Sequence, residues 1–291
     1  MYYPSDILRL FPSGLADALR ACRADTPDVV EEIRCRVDRP ATVLTASGAR
    51  RVEGAVTTGA DLDALLERAA EASLHTYAEE LRRGFLHTSS GCRIGICGSA
   101  YCRDGALSGI RQISSVSVRI PHEVHGCADA VFPALTDGGF QSTLLLSPPG
   151  FGKTTLLREL IRRLSESGLR ISVADERGEI AAVHDRAPRF DLGPNTDVMT
   201  GGAKGESCML LLRAMNPQLL AFDEITAASD IAAVEAAAGC GVELLATAHA
   251  ENSASMRQRA LYRELLSSGI FKRAVWIRRE GAARRYAIEA L

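Results

Sequence analysis

The chain has 291 residues, 46% hydrophobic and 24% charged, enough apolar material for a sizeable core and more naturally two domains than one. A formal net charge of -2 and a pI near 6.3 exclude a protein that holds nucleic acid by its overall charge. No apolar run approaches the roughly 18 residues of a membrane-spanning helix, and Met1-Tyr-Tyr-Pro-Ser5 lacks the charged start and apolar core of a secretory signal. The eight cysteines contain no C-x-x-C pair and several sit in apolar runs, which predicts reduced, mostly buried thiols in a cytosolic protein. Cys92, Cys97 and Cys102 recur every five residues without a suitably spaced fourth ligand, which argues against zinc.

From the N-terminus, Glu31 to Val37 and Pro40 to Leu44 read as short strands, followed after Gly54 by a polar turn. Between Asp61 and Arg83, Leu62, Leu65, Leu66, Ala69, Ala70, Leu74, Tyr77 and Leu81 recur at helical spacing and predict one or two helices. Residues 84–88 and 92–97 alternate as strands, Asp104-Gly105 marks a hairpin turn, and Ser115 to Ile120 forms a further strand. This is a small α+β domain, with Pro121 to Gly126 as the linker. His122 and His125, three apart in that linker, read as solvated loop residues. The boundaries are therefore 1–125 and 126–291.

After a helix over Asp129 to Leu135, the apolar run from Thr143 leads into Ser147-Pro-Pro-Gly-Phe-Gly-Lys-Thr-Thr155, and the amphipathic run Leu156 to Leu164 follows. A Gly-rich loop between a strand and a helix points backbone N–H groups and a helix N-terminus at nucleotide phosphates. Pro149, Gly150, Phe151, Gly152, Lys153, Thr154 and Thr155 are thus the candidate ATP-binding residues, with Lys153 reaching the phosphates and Thr154 ligating Mg²⁺. Ser147 departs from the usual opening glycine. About seventy residues on, Gln218 to Ile225 is an apolar strand ending in Asp223 and Glu224, where the first acid would hold the Mg²⁺ shell and the second orient or deprotonate water. Strands at 143–147, 171–175, 219–223 and 243–248, with a closing hairpin of 274–278 and 285–289 around Gly281, predict a parallel sheet covered on both faces. Asp175, Glu176, Thr247 and His249 fall at carboxyl ends of those strands, where such sheets bind ligands. His249 is there a candidate for sensing the terminal phosphate or placing water, and Asp175 and Glu176 equally suit capping the turn that follows. The Ala-rich helix from Ile231 to Ala238 reads as ordinary packing.

These motifs in this order, with Leu212-Arg213-Ala-Met-Asn-Pro217 ahead of the two acids and Thr247-Ala-His249-Ala-Glu-Asn252-Ser253 after them, resemble the secretion-ATPase superfamily of type II and type IV secretion motors. Within it, Glu31-Glu-Ile-Arg34, Arg39-Pro40, Gly91-Cys-Arg93-Ile-Gly95, Ile113-Ser-Ser115 through Arg119-Ile120, and Asp175-Glu-Arg177 resemble the stage III sporulation protein AA family of endospore-forming bacteria, over nearly the whole chain. The resemblance implies an α/β fold, a RecA-like P-loop ATPase domain preceded by the smaller α+β domain. It implies a Mg²⁺-dependent ATPase, a homo-hexameric ring, and a cytoplasmic protein docked through membrane-embedded sporulation-channel components on the mother-cell side. It gives Lys153, Glu224, His249 and Glu176 catalytic roles, with Glu176 in the acidic box and Thr154 and Asp223 on the metal. A ring also calls for a cation from a neighbouring copy, and Arg93, Arg111, Arg119 and Arg213 are the candidates. Where the secretion motors continue with an arginine after the two acids, this chain has Ile225-Thr-Ala-Ala-Ser-Asp230. With Ser147, that leaves a nucleotide-gated scaffold of slow turnover as an alternative. A RecA-like nucleic-acid motor is disfavoured by the acidic pI.

Overall fold

The computed structural model describes residues 5–22, 29–45, 47–70, 84–88, 91–103, 106–120, 122–183, 186–281 and 283–291. The chain divides into two compact units, Met1–His122 and Glu123–Leu291.

The first unit carries α1 (Ser5–Leu8), α2 (Ser13–Cys22), β1 (Val30–Arg36), β2 (Arg39–Thr45), β3 (Gly48–Thr57), α3 (Gly59–Ala69), β4 (Phe85–His87), β5 (Arg93–Arg103) and β6 (Ala106–Arg119). Its described strands form one six-stranded sheet in the order β3-β2-β1-β6-β5-β4, with every neighbouring pair antiparallel. Alternation along β1 and β6 buries Ile33, Cys35, Val116 and Val118 on one face, and α2 and α3 supply Leu15, Leu19, Leu62 and Leu65 to the same core. Thr58 starts α3 with a capping box: its hydroxyl accepts the Asp61 N–H at 3.1 Å, and Asp61 accepts the Thr58 N–H at 2.8 Å.

Four expectations change here. The polar turn after Gly54 is the end of β3, an edge strand that among the described residues pairs only with β2; with Arg50, Arg51 and Glu53 exposed and Val52 buried, it offers little hydrophobic pattern to read. Strands β5 and β6 run longer than the apolar stretches that announced them, because bulges after Cys97 and Tyr101 interrupt the alternation. At Gly98 the chains come so close that a Cβ would lie 2.7 Å from the Arg111 carbonyl oxygen. The cysteines are also less buried than expected: Cys35, Cys92 and Cys208 are buried, whereas Cys97, Cys102 and Cys240 are exposed. The second half of the helical pattern, 71–83, and the Asp104-Gly105 turn lie outside the described residues. His122 is a half-buried strut rather than a solvated loop residue, its Nε2 donating to the Val30 carbonyl at 2.6 Å.

The second unit carries α4 (Phe132–Thr136), β7 (Thr143–Ser147), α5 (Lys153–Glu166), β8 (Ile171–Asp175), β9 (Thr196–Thr200), α6 (Lys204–Met215), β10 (Leu219–Phe222), α7 (Ala228–Gly239), β11 (Glu243–His249), α8 (Ser253–Gln258), α9 (Ala260–Ser267), β12 (Arg273–Glu280) and β13 (Ala283–Ala290). Its described strands form a seven-stranded sheet, β13-β12-β7-β11-β10-β8-β9. All pairs are parallel except the edge pair β12 and β13. Strands β7, β8 and β10 are buried along their whole length, as strands covered on both faces must be. One core cluster unites α5 with one face of the sheet, and another unites α6, α7 and α9 with the other. This is the doubly covered, mainly parallel α/β sheet that the RecA-like expectation called for, and it follows the smaller antiparallel unit in the chain. Helix α4 starts three residues later than the pattern suggests, with a proline at its first turn. Strand β9 is absent from the expected set because this partly exposed edge strand has no apolar run.

Candidate active site

Four adjacent parallel strands, β7, β11, β10 and β8, end on the same side of the sheet, and registry fixes what meets there. Ser147 pairs with His249 and Phe222 pairs with both Ala246 and Ala174, so the phosphate loop, Thr247 and His249, Asp223 and Glu224, and Asp175 and Glu176 converge. Gly150 and Gly152 hold left-handed φ of 77° and 91°, the conformation for which glycine is needed. A Cβ at Gly150 would meet nothing within 4 Å, so this side of the loop is an open cradle.

Lys153 opens α5 and is buried. Its ammonium donates to the Ser147 carbonyl at 3.0 Å, the Pro148 carbonyl at 3.1 Å and His249 Nδ1 at 2.8 Å. His249 Nε2 lies 3.0 Å from Glu224 Oε1. A neutral His249 that accepts at Nδ1 and donates from Nε2 satisfies both contacts, and it links the loop lysine to the second acid. Burial lowers the Lys153 pKa below the ordinary lysine value, opposed by the charges of Asp223 and Glu224.

The Thr154 hydroxyl donates to Asp223 Oδ2 at 2.7 Å, and the Thr247 hydroxyl donates to the other carboxylate oxygen. Thr247 also accepts the Glu224 N–H at 2.9 Å. Glu224 itself sits at φ 52°, a region a non-glycine residue occupies only when its surroundings hold it. Its Oε2 takes a 2.9 Å contact from Arg177. Asp175, buried at the end of β8, accepts the N–H groups of Glu179 at 2.9 Å and Ala181 at 2.8 Å. Burial raises its pKa against those hydrogen bonds. Asp175 therefore caps the turn after β8, while the Glu176 carboxylate is half exposed and comes within 3.9 Å of Lys204 Nζ.

Sequence reasoning singled out Lys153, Thr154, Asp223, Glu224 and His249, and one hydrogen-bonded cluster contains all five. Glu176 lines the adjoining cleft with Asp175, Arg177, Lys204, Asp223 and Glu224. Arg213 is exposed in the last turn of α6, at the opposite end of that helix from the cleft residue Lys204. In the first unit, Arg93 and Arg119 line a depression with Arg34 and Arg36, while Arg111 stacks 4.4 Å over the Tyr101 ring. Sequence reasoning missed Lys204, which has no motif around it. It also missed Arg284, whose Nε donates to the Phe151 carbonyl at 3.1 Å, because a charged edge strand carries no sign of which loop it touches.

The profile of the family described as sporulation stage III, protein AA matches residues 4–287. The chain belongs to that family. It is 30% identical over 275 residues to stage III sporulation protein AA of Bacillus subtilis (strain 168), covering 92% of this chain and 89% of the relative. Its fold is that of the ATPase DotB of Legionella pneumophila, with a TM-score of 0.61 at 16% identity, over 100% of this chain and 81% of that one. The pilus retraction motor PilT with bound ADP has a TM-score of 0.59 at 14% identity, over 95% of this chain and 82% of that one. By fold this family member is similar to P-loop ATPases such as these two. Among its described residues, no helix is long and apolar enough to cross a membrane.

Proposed function

We propose that this family member is a Mg²⁺-dependent ATP hydrolase working as a homo-hexameric ring, docked from the cytoplasm on membrane-embedded components of the sporulation channel and driving assembly or transport through it. The observation that carries the enzymatic part is the linked cluster Thr154–Asp223–Thr247 and Lys153–His249–Glu224. The ring, the channel partner and the peripheral location rest on family membership and on the fold shared with secretion and pilus motors.

The residues present fit Mg-ATP: a hydroxyl and a carboxylate face one another at the loop, above an open glycine cradle. The backbone from Pro149 to Thr155 binds the phosphates, and Lys153 exchanges loop carbonyls for phosphate oxygens. Thr154 and Asp223 would hold the metal, which would supply neutralisation of the phosphate oxygens. Glu224 orients water and accepts its proton. His249 senses the terminal phosphate through Lys153, whose ammonium leaves the Nδ1 acceptor when phosphate oxygens take it up, and Glu176 sets the charge of the neighbouring cleft.

Phosphate release from Mg-ATP, followed across a protein concentration series with oligomer mass recorded on the same samples, tests this reading beside Lys153→Ala and Glu224→Gln. Turnover that rises with ring formation and is lost in both variants is the expected result. ATP-dependent assembly without turnover overturns the motor and leaves a nucleotide-gated scaffold.

A further inference from the structure

We propose that Lys204 is a positioning residue for the reaction, holding the backbone of Glu224 in its left-handed conformation through a buried ion pair with Asp230. The proposal rests on the assignment of Glu224 as the acid that orients water.

Lys204 is the first residue of α6 and is 7% exposed; Asp230, in the first turn of α7, is 4% exposed. Charged side chains so far from water persist only when paired, and here they are 3.3 Å apart. The remaining hydrogen bonds of the pair all go to one turn. Lys204 Nζ donates to the Glu224 carbonyl. Asp230 Oδ2 accepts the N–H of Thr226 at 2.8 Å and of Ala227 at 3.0 Å. On its other side the turn is held by Thr247, whose hydroxyl takes the Glu224 N–H and whose carbonyl accepts the Ile225 N–H at 2.9 Å.

Glu224 needs such a frame. At φ 52° its backbone leaves the broad allowed regions, and relaxation of that angle would swing a carboxylate now lying between His249 Nε2 and Arg177. Lys204 lines the cleft 3.9 Å from the Glu176 carboxylate, yet its hydrogen bonds go to Asp230 and the Glu224 carbonyl. Its effect on chemistry passes through Glu224.

The test compares Lys204→Met, Lys204→Arg and the doubly neutral Lys204→Met/Asp230→Asn with the full-length protein. Three quantities are read: kcat and KM for Mg-ATP, affinity for a fluorescent ATP analogue, and amide hydrogen exchange in peptides spanning 223–228. For Lys204→Met we expect kcat to fall by about ten- to a hundredfold, the range in which ångström-scale misplacement acts, with nucleotide affinity within about twofold and faster exchange at 223–228. Lys204→Arg restores most of kcat. The double variant removes the penalty of an unpaired buried Asp230; kcat that stays low while thermal stability recovers supports positioning, and kcat that returns overturns it. Unchanged exchange at 223–228 in Lys204→Met also overturns the proposal, whatever the turnover. If the wild-type protein hydrolyses no ATP and exchange still rises in Lys204→Met, the catalytic reading fails while the backbone latch stands.

Discussion

Replacing Thr247 with valine isolates the hydroxyl that joins the two acids. The side chain is fully buried, its Oγ1 donates to Asp223 and accepts the Glu224 N–H at 2.9 Å, and valine preserves its shape. Thr247→Val leaves the Glu224 N–H without its acceptor, a loss of about 1–3 kcal/mol for a buried donor. It also removes one charge-assisted bond to Asp223, worth about 1.5–3 kcal/mol before water at the partly exposed carboxylate recovers some of it. A net destabilisation of about 3 kcal/mol follows from these two bonds. Thr247→Ser deletes one buried methyl and keeps both bonds, so it costs about 1 kcal/mol. Trp276 is the only tryptophan and pairs with Leu146 in the sheet that carries the site, so urea unfolding followed by its fluorescence reports this unit alone. If half the lost stabilisation bears on the geometry of Asp223 and Glu224 in the transition state, kcat falls about tenfold in Thr247→Val; in Thr247→Ser it stays near wild type. Valine and serine variants that match in stability and turnover would refute the assignment of this hydroxyl as the element that orients both acids.

Three further outcomes follow from groups in the two units. Glu159 is buried on α5, and although burial pushes its pKa up, the Arg162 fork and the Gly126 N–H outweigh burial and hold it below the ordinary glutamate value of 4.5. Its stabilisation is therefore fully present above about pH 4.5 and lost as pH falls through the lowered folded value; urea midpoints of Glu159→Gln and wild type should differ at pH 7 and converge in acid. At Gly152, φ is 91° and a Cβ would lie 2.8 Å from Arg284 Nε, so Gly152→Ala should lose about 1–2 kcal/mol of stability and bind a fluorescent ATP analogue more weakly. Cys97, Cys102 and Cys240 are exposed, whereas burial pushes the thiols of Cys35 and Cys208 up to about 11 and about 12. A native thiol titration at pH 8 should label the first three rapidly and Cys35 and Cys208 only after denaturation.

What was legible in the sequence is what burial and loop chemistry dictate locally. Residues 143–147 and 171–175 matched β7 and β8 residue for residue, because strands covered on both faces are uninterrupted apolar runs. The loop from Pro149 to Thr155 announced itself through glycines that only positive φ requires. Two of the edge strands did not: β3 and β9 bury too few side chains to show a period. The supporting contacts of the site were likewise hidden, since Lys204 and Asp230 are 26 residues apart and only the packing of α6 against α7 brings them together. Arg177 stood beside the acidic pair in sequence, but its contact with Glu224, across 47 residues, depends on β8 lying next to β10.

The two departures from the secretion-motor pattern acquire physical meaning in this setting. Ser147 replaces the glycine that usually opens the loop, yet it is the last residue of β7, buried and without positive φ, so a side chain costs nothing in backbone strain there. Its hydroxyl donates to the Pro148 carbonyl at 2.9 Å and stands 3.4 Å from Lys153 Nζ, which adds an acceptor to the resting position of the lysine. The segment after Glu224 lacks the arginine of the motors, but within it Asp230 anchors Thr226 and Ala227 and pairs with Lys204 of α6. Where the motor pattern carries that arginine, this chain builds an internal frame around the backbone of Glu224. If that difference governs the rate, introducing arginine at Ala227 should leave single-site nucleotide affinity unchanged and alter turnover only at concentrations where copies associate. A change in turnover that is already present in the dilute monomer would place the effect of this segment on Glu224 rather than on a subunit interface.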